Sequence, residues 1–163
     1  MFRVGLGQDS HGFVAAGENK PLILGGVKVD ARGGLKGNSD GDVILHSVCN
    51  SISSAIGGDS LSTWSDDMCN KRGIKNSACY VEYITNKMVK LKYSVINISI
   101  SVEAKRPYLK MEIVKQIKSR IASLLKIETE QVGLTFTSGE SLTAFGRGQG
   151  IQVLTIINIA KHD

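Results

Sequence analysis

Residues 95–103 read Val95-Ile96-Asn97-Ile98-Ser99-Ile100-Ser101-Val102-Glu103, an alternation of apolar and polar side chains with a period of two. An extended chain with that pattern sets Ile96, Ile98, Ile100 and Val102 on one face and Asn97, Ser99, Ser101 and Glu103 on the other. This is a strand with one polar face. Downstream, Pro107 breaks the chain before a helix over about 110–125, where Ile113, Ile117, Ile121, Leu124 and Leu125 recur every three or four residues. Strands near 131–137 and 150–160 close the sequence. Upstream, Val81, Ile84, Met88 and Leu91 predict an amphipathic helix over 77–91, and the polar stretch from Asp59 to Ser77 reads as a long surface loop.

Nearer the N-terminus, residues 2–7 form a short apolar strand, and Leu22-Ile23-Leu24 and Val27-Lys28-Val29 flank the glycine pair of a hairpin. A glycine-rich loop, Gly33 to Asn38, leads to Ser39-Asp40-Gly41-Asp42, where Ser39 and Asp42 have capping-box spacing. A helix is expected from there, with Val43, Ile44, Val48, Ile52, Ala55 and Ile56 on its buried stripe and Gly57-Gly58 as its stop. Strands are both paired and separated by helices, so the fold class is α+β, a sandwich rather than a doubly wound sheet.

At 163 residues and 42% apolar composition, residues 1–163 are expected to form a single domain. There is no run of 18 apolar residues to cross a bilayer and no staged signal peptide, so no membrane role and a cytoplasmic location are expected. Three cysteines, Cys49, Cys69 and Cys79, with no C-x-x-C spacing fit reduced thiols. The net charge of +5 comes from scattered Lys and Arg, and only 6% of residues are aromatic. That argues against nucleic acid, which needs clustered phosphate contacts and stacking platforms, and for a small anionic ligand.

Asp9 and His11, two apart on an extended chain, point to one face, and His46 lies on the first helix. Two imidazoles and a carboxylate give three metal ligands and leave a fourth position open, as in a catalytic zinc site. Alone, D-x-H recurs by chance, and a lone helical histidine is more often part of a core. Asp42 and Cys49 lie one turn to either side of His46; Asp42 is the better candidate to orient the imidazole, and Cys49 reads as core.

The order of these residues and their neighbours resembles the 2-C-methyl-D-erythritol 2,4-cyclodiphosphate synthase family over nearly the whole chain. Gly5-Leu6-Gly7-Gln8-Asp9-Ser10-His11 matches its G-x-G-x-D-x-H opening, Pro21 to Gly26 its hairpin, and Ser39 to His46 its S-D-G-D-x-x-x-H segment. Val102 to Pro107 looks like its strand end and proline loop, and Thr137-Ser138-Gly139-Glu140 with Phe145 to Gly150 looks like its T-T-T-E and G-R-G-E-G signatures.

The resemblance implies a ferredoxin-like two-layer sandwich, a mixed sheet covered on one face by about three helices, assembled as a homotrimer with sites between neighbours. It implies a zinc ion held by Asp9, His11 and His46, and a magnesium or manganese ion at Glu140. Substrate contacts would come from Asn38, Ser39, Asp59, Asp66, Thr137, Ser138, Phe145 and Arg147, with cytosine recognised by Ala104, Pro107, Tyr108, Leu109 and Lys110. The implied substrate is a cytidyl diphosphate, whose own 2-phosphate attacks the β-phosphorus and releases CMP, so the protein supplies no nucleophile.

The chain departs from the family pattern in places. Asn38 replaces a histidine, Asn50 replaces an aspartate, Asp59-Ser60-Leu61 replaces D-I-G, and Trp64 to Met68 replaces F-P-D-T-D. The first two departures leave open a non-catalytic trimer that binds zinc and a cytidine nucleotide.

Overall fold

The computed structural model describes residues 1–30 and 32–162. Its elements in chain order are β1 (Phe2–Gly12), β2 (Leu22–Leu24), β3 (Val27–Asp30), α1 (Val43–Ala55), α2 (Ser62–Arg72), α3 (Ser77–Lys90), β4 (Tyr93–Glu103), α4 (Met111–Leu125), β5 (Val132–Thr137) and β6 (Gly150–Lys161). A mixed sheet runs in the order β1-β6-β4-β5, with β4 and β5 parallel and the other pairs antiparallel; β2 and β3 form the separate hairpin at Gly25-Gly26. The class is α+β, with four α-helices among the described residues where about three were expected.

The register sets what lies where. Gly5 and Gly7 face α1, and a Cβ at either would stand 1.9 Å from Ser51 O or 2.0 Å from Ser47 O. Only glycine permits that approach, so α1 lies almost on the backbone of β1. Asp9 and His11 continue the same face. The helix is thereby delivered to the strand where the chemistry is.

Among the described residues, no helix lies on the opposite face of the sheet. Phe2, Val4 and Leu6 on β1 and Leu154 and Ile156 on β6 are exposed there, beside the polar Ser99, Ser101 and Thr135. The covered face holds the core, including Ile98, Ile100, Val102, Ile151, Val153 and Ile157, packed under α1, α3 and α4.

Three local expectations are corrected. The alternation of residues 95–103 breaks at a bulge between Val95 and Asn97, which turns Ile96 outward and buries Val95 and Tyr93 instead. The first helix is capped by Asp42, whose side chain accepts from Leu45 N, and not by Ser39. Gly41, at φ +76°, turns the chain between the two. The expected loop over 59–77 contains α2: Leu61, Ser65, Met68 and Cys69 are buried at helical spacing, Asp67 pairs with Lys71 at 2.9 Å, and Gly73 at φ +69° ends the helix. Its buried face is short and part polar, which is why the stretch resembles a loop in sequence.

Candidate metal centre

Asp9, His11 and His46 converge. Asp9 Oδ2 lies 3.0 Å from His11 Nε2 and 3.0 Å from His46 Nδ1, and the two ring nitrogens are 3.2 Å apart. One ligand atom from each residue falls within a 4.8 Å cluster, as a single cation requires. Burial works to raise the pKa of Asp9, but the hydrogen bonds and charges of the two imidazoles outweigh it and bring it down to about 2. An ionised carboxylate beside two imidazole nitrogens fits a borderline cation such as zinc and leaves a position open.

The three residues line a pocket of about 330 Å³ together with Asn38, Ser39, Asn50 and Asp66. Lys20 Nζ donates to the carbonyls of Gly37 (3.0 Å) and Ser39 (2.9 Å), straddling Asn38 and fixing the glycine-rich loop against the pocket. Burial lowers the pKa of that amine. Asn50, which also lines the pocket, donates from Nδ2 to Gln8 O at 3.1 Å and accepts at Oδ1 from Leu61 N at 2.8 Å. A carboxylate could not make the first of these bonds. Asn50 therefore ties β1 to the start of α2. Asp59 lies outside this pocket, in a neighbouring depression with Leu6, Gln8 and Ser60.

A second cavity opens at the other edge of the sheet. Ala104, Pro107, Tyr108, Leu109, Thr137 and Ser138 line it. Lys110 is the N-cap of α4, just beyond those residues. Glu140 is exposed at φ +47°, with Ser138 Oγ donating to its Oε1 at 3.1 Å. Phe145 O accepts from Lys105 N at 3.2 Å, and Arg147 Nη1 donates to Leu142 O at 3.1 Å, so both shape the loop around Glu140. The row Ser10, Gln152, Glu103, Thr137 crosses the sheet in register, so both sites lie at the same end. They are three strand spacings apart, about 14 Å.

The YgbB family model matches residues 2–160. The chain belongs to the YgbB family. Among curated relatives, 2-C-methyl-D-erythritol 2,4-cyclodiphosphate synthase from Chlamydia trachomatis serovar A is 36% identical over 162 residues, 99% of this chain and 90% of that protein. The enzyme of the same name from Chlamydia abortus is 38% identical, over 99% of this chain and 91% of that protein. Among solved structures, IspF of Plasmodium falciparum in complex with CDP superposes with a TM-score of 0.85 at 30% identity, covering 99% of this chain and 97% of that one.

Within this YgbB-family fold, one expected contact fails. Asp42 does not orient the His46 ring: its oxygens accept from Gly25 N (2.9 Å), Gly26 N (2.6 Å) and Leu45 N (3.1 Å), locking the hairpin to α1. Complete burial raises its pKa to about 6 against those hydrogen bonds. Its role is structural. Cys49 is fully buried, as expected of a core thiol, and burial pushes its pKa up.

Sequence reasoning also missed the residues that do hold His46. Ser77 Oγ lies 2.9 Å from His46 Nε2, and Ser39 Oγ lies 3.3 Å away. Asp40 stands behind Ser77. The available signal was the Asn76-Ser77 start of α3, where the Asn76 side chain caps the helix and turns Ser77 inward.

Proposed function

We propose that this chain converts 4-diphosphocytidyl-2-C-methyl-D-erythritol 2-phosphate into 2-C-methyl-D-erythritol 2,4-cyclodiphosphate and CMP, as a single domain acting in the cytoplasm on the non-mevalonate route to isoprenoids. The observation that carries this reading is the convergence of Asp9, His11 and His46 in a chain that matches the synthases end to end.

Asp9 Oδ2, His11 Nε2 and His46 Nδ1 would hold the zinc ion, and Glu140 would hold a magnesium or manganese ion. When bound, the two cations withdraw charge from the phosphoryl oxygens of the diphosphate. Asn38 and Ser39 lie on the wall beside the triad and face the reacting phosphates, and Asp66 reaches the same pocket from α2. Thr137 offers a hydroxyl donor to a phosphate oxygen, and Ser138 does so when its proton turns from Glu140 Oε1 to the phosphate. Ala104, Pro107, Tyr108, Leu109 and Lys110 frame the cytosine, Asp59 the ribose, and Phe145 and Arg147 the loop that carries Glu140. The bound 2-phosphate attacks the β-phosphorus, and folding the substrate back on itself supplies the rate through proximity.

Distance and surface support a homotrimer. Within one chain the triad and Thr137 are about 14 Å apart across the sheet, so groups meant to act on one diphosphate meet only if a neighbour brings its own second cavity to the triad. The helix-free sheet face, with Phe2, Val4, Leu6, Leu154 and Ile156 exposed, is the surface that three copies would cover.

CMP release from the cytidyl substrate, with and without zinc and magnesium, tests the function. Metal-dependent CMP together with a cyclic diphosphate is expected, and His46→Ala is expected to lose about a hundred- to a thousandfold, the scale of a removed electrostatic catalyst. Zinc-loaded, folded protein that binds CDP without releasing CMP from substrate would overturn the reading.

A further inference from the structure

We infer that Asp40 and Ser77 fix the tautomer of His46, so that Nδ1 is the bare nitrogen presented to the metal. This rests on reading Asp9, His11 and His46 as the metal site. Asp40 accepts at both carboxylate oxygens: Oδ2 from Ser77 N at 2.9 Å, and Oδ1 from Asp42 N at 3.1 Å and from Ser77 Oγ at 2.5 Å. A carboxylate has no proton to give, so the single hydroxyl proton of Ser77 is committed to Asp40.

Ser77 Oγ also lies 2.9 Å from His46 Nε2. With its own proton spent, it can only accept there, and the proton in that contact must belong to Nε2. Ser39 Oγ, 3.3 Å from the same nitrogen and itself accepting from Gly41 N, offers the weaker second contact. A neutral imidazole protonated at Nε2 is bare at Nδ1. That bare nitrogen lies 3.0 Å from Asp9 Oδ2, another acceptor. Without a metal the two meet as a hydrogen bond only when the ring carries a second proton at Nδ1, as an imidazolium; in the neutral ring they are two acceptors that need a cation between or beside them.

Asp40 and Ser77 are thus positioning residues, acting on the metal through His46. Ser77 is wholly buried at the first turn of α3, and the Asp40 backbone is tied to Lys75 by its N–H donating to Lys75 O at 2.8 Å. The start of α3 and the loop before α1 are joined at this one point. Carboxylates that orient metal-binding histidines usually touch the ring directly; here a serine hydroxyl is interposed and carries the direction of the proton.

Two measurements test this. Long-range proton–nitrogen correlation spectra of the metal-free protein, at a pH alkaline enough for neutral imidazole, should show His46 protonated at Nε2. Finding the proton on Nδ1 in the unmodified protein would overturn the inference without any variant. Zinc affinity by competition with a chromophoric chelator should fall about 10- to 100-fold in Ser77→Ala and in Asp40→Asn.

In Asp40→Asn the amide NH2 can face Ser77 Oγ, reverse the chain of donors and move the His46 proton to Nδ1, a change that a merely structural role would not produce. Zinc affinity equal to the parent in both variants, each shown to be folded by its thermal transition, would also overturn it. If the parent and His46→Ala bind zinc equally, the metal-site reading fails, and the spectra still decide the tautomer by themselves.

Discussion

The two edges of the main sheet end in the same row of residues and are built in opposite ways. At the β1 edge, α1 rests on glycine backbone, His46 is 7% exposed, and both of its ring nitrogens are in polar contact, Nδ1 with Asp9 Oδ2 and Nε2 with Ser77 Oγ. At the β5 edge, Tyr108 is 95% exposed, Leu142 is 81% exposed, and Glu140 and Ser141 sit at positive φ in a loop. A helix packed on a strand can hold three ligand atoms within a few ångströms because each is braced from two sides. A loop beyond a strand end is braced from one. On the proposed function, one chain finishes the metal pole and leaves the nucleotide pole open for another surface to complete.

That contrast is most exposed to failure at the helix-free sheet face. Leu154 is 43% exposed in the single chain, so Leu154→Glu should fold, while burying three such carboxylates together would be prohibitive. Sedimentation is expected to show monomers in place of trimers. Zinc affinity should stay at the parent level, because the triad belongs to one chain, and CMP release should vanish. A monomer that still turned over substrate would mean that one chain completes both poles.

The next effect lies inside the finished pole. In Gly7→Ala the new methyl group would meet Ser47 O at 2.0 Å and Ser51 N at 2.4 Å, both backbone atoms that cannot rotate away. Lifting α1 off β1 should cost about 3 kcal/mol or more and carry His46 away from Asp9. Thermal unfolding and zinc affinity should therefore fall together, whereas CDP affinity, read on the same folded sample, should change less. Loss of CDP binding with zinc retained would reverse the assignment of rigidity to the two edges.

How much of this was legible in the sequence follows the same divide. The Asp9/His11 pair on one strand face, the hairpin at Gly25-Gly26, and the helices at 77–91 and 110–125 stand where periodicity puts them, because each depends on contacts within its own element. The bulge at Ile96 was invisible, since period-two patterning cannot tell which partner residue is skipped. Helix α2 was hidden because its buried face is only four residues, one of them a serine. The Asp40, Ser77 and His46 chain joins positions 37 residues apart and then 31 apart, a separation at which spacing carries no signal. Asp42, one turn from His46, drew the orienting role by proximity in sequence, while the hairpin backbone claimed its carboxylate in space.

The smallest effect is expected at the open pole. Glu140→Gln keeps an amide oxygen in place to accept from Ser138 Oγ, which meets Oε1 at 3.1 Å, and removes only the negative charge. If Glu140 holds the second cation, CDP affinity in the presence of magnesium should fall by about tenfold, the scale of roughly 1.4 kcal/mol for one lost charge-assisted contact. Affinity without magnesium should not move, since nothing else in the cavity changes. Zinc affinity should not move either, because the residue lies at the far edge of the sheet from Asp9, His11 and His46. A magnesium response equal to the parent would remove Glu140 from the cation site and shift the search to Glu103, whose Oε1 accepts from Thr143 Oγ1 under the same loop. A fall in zinc affinity would instead show that the two poles communicate within a chain, which the separation of their hydrogen-bond networks argues against.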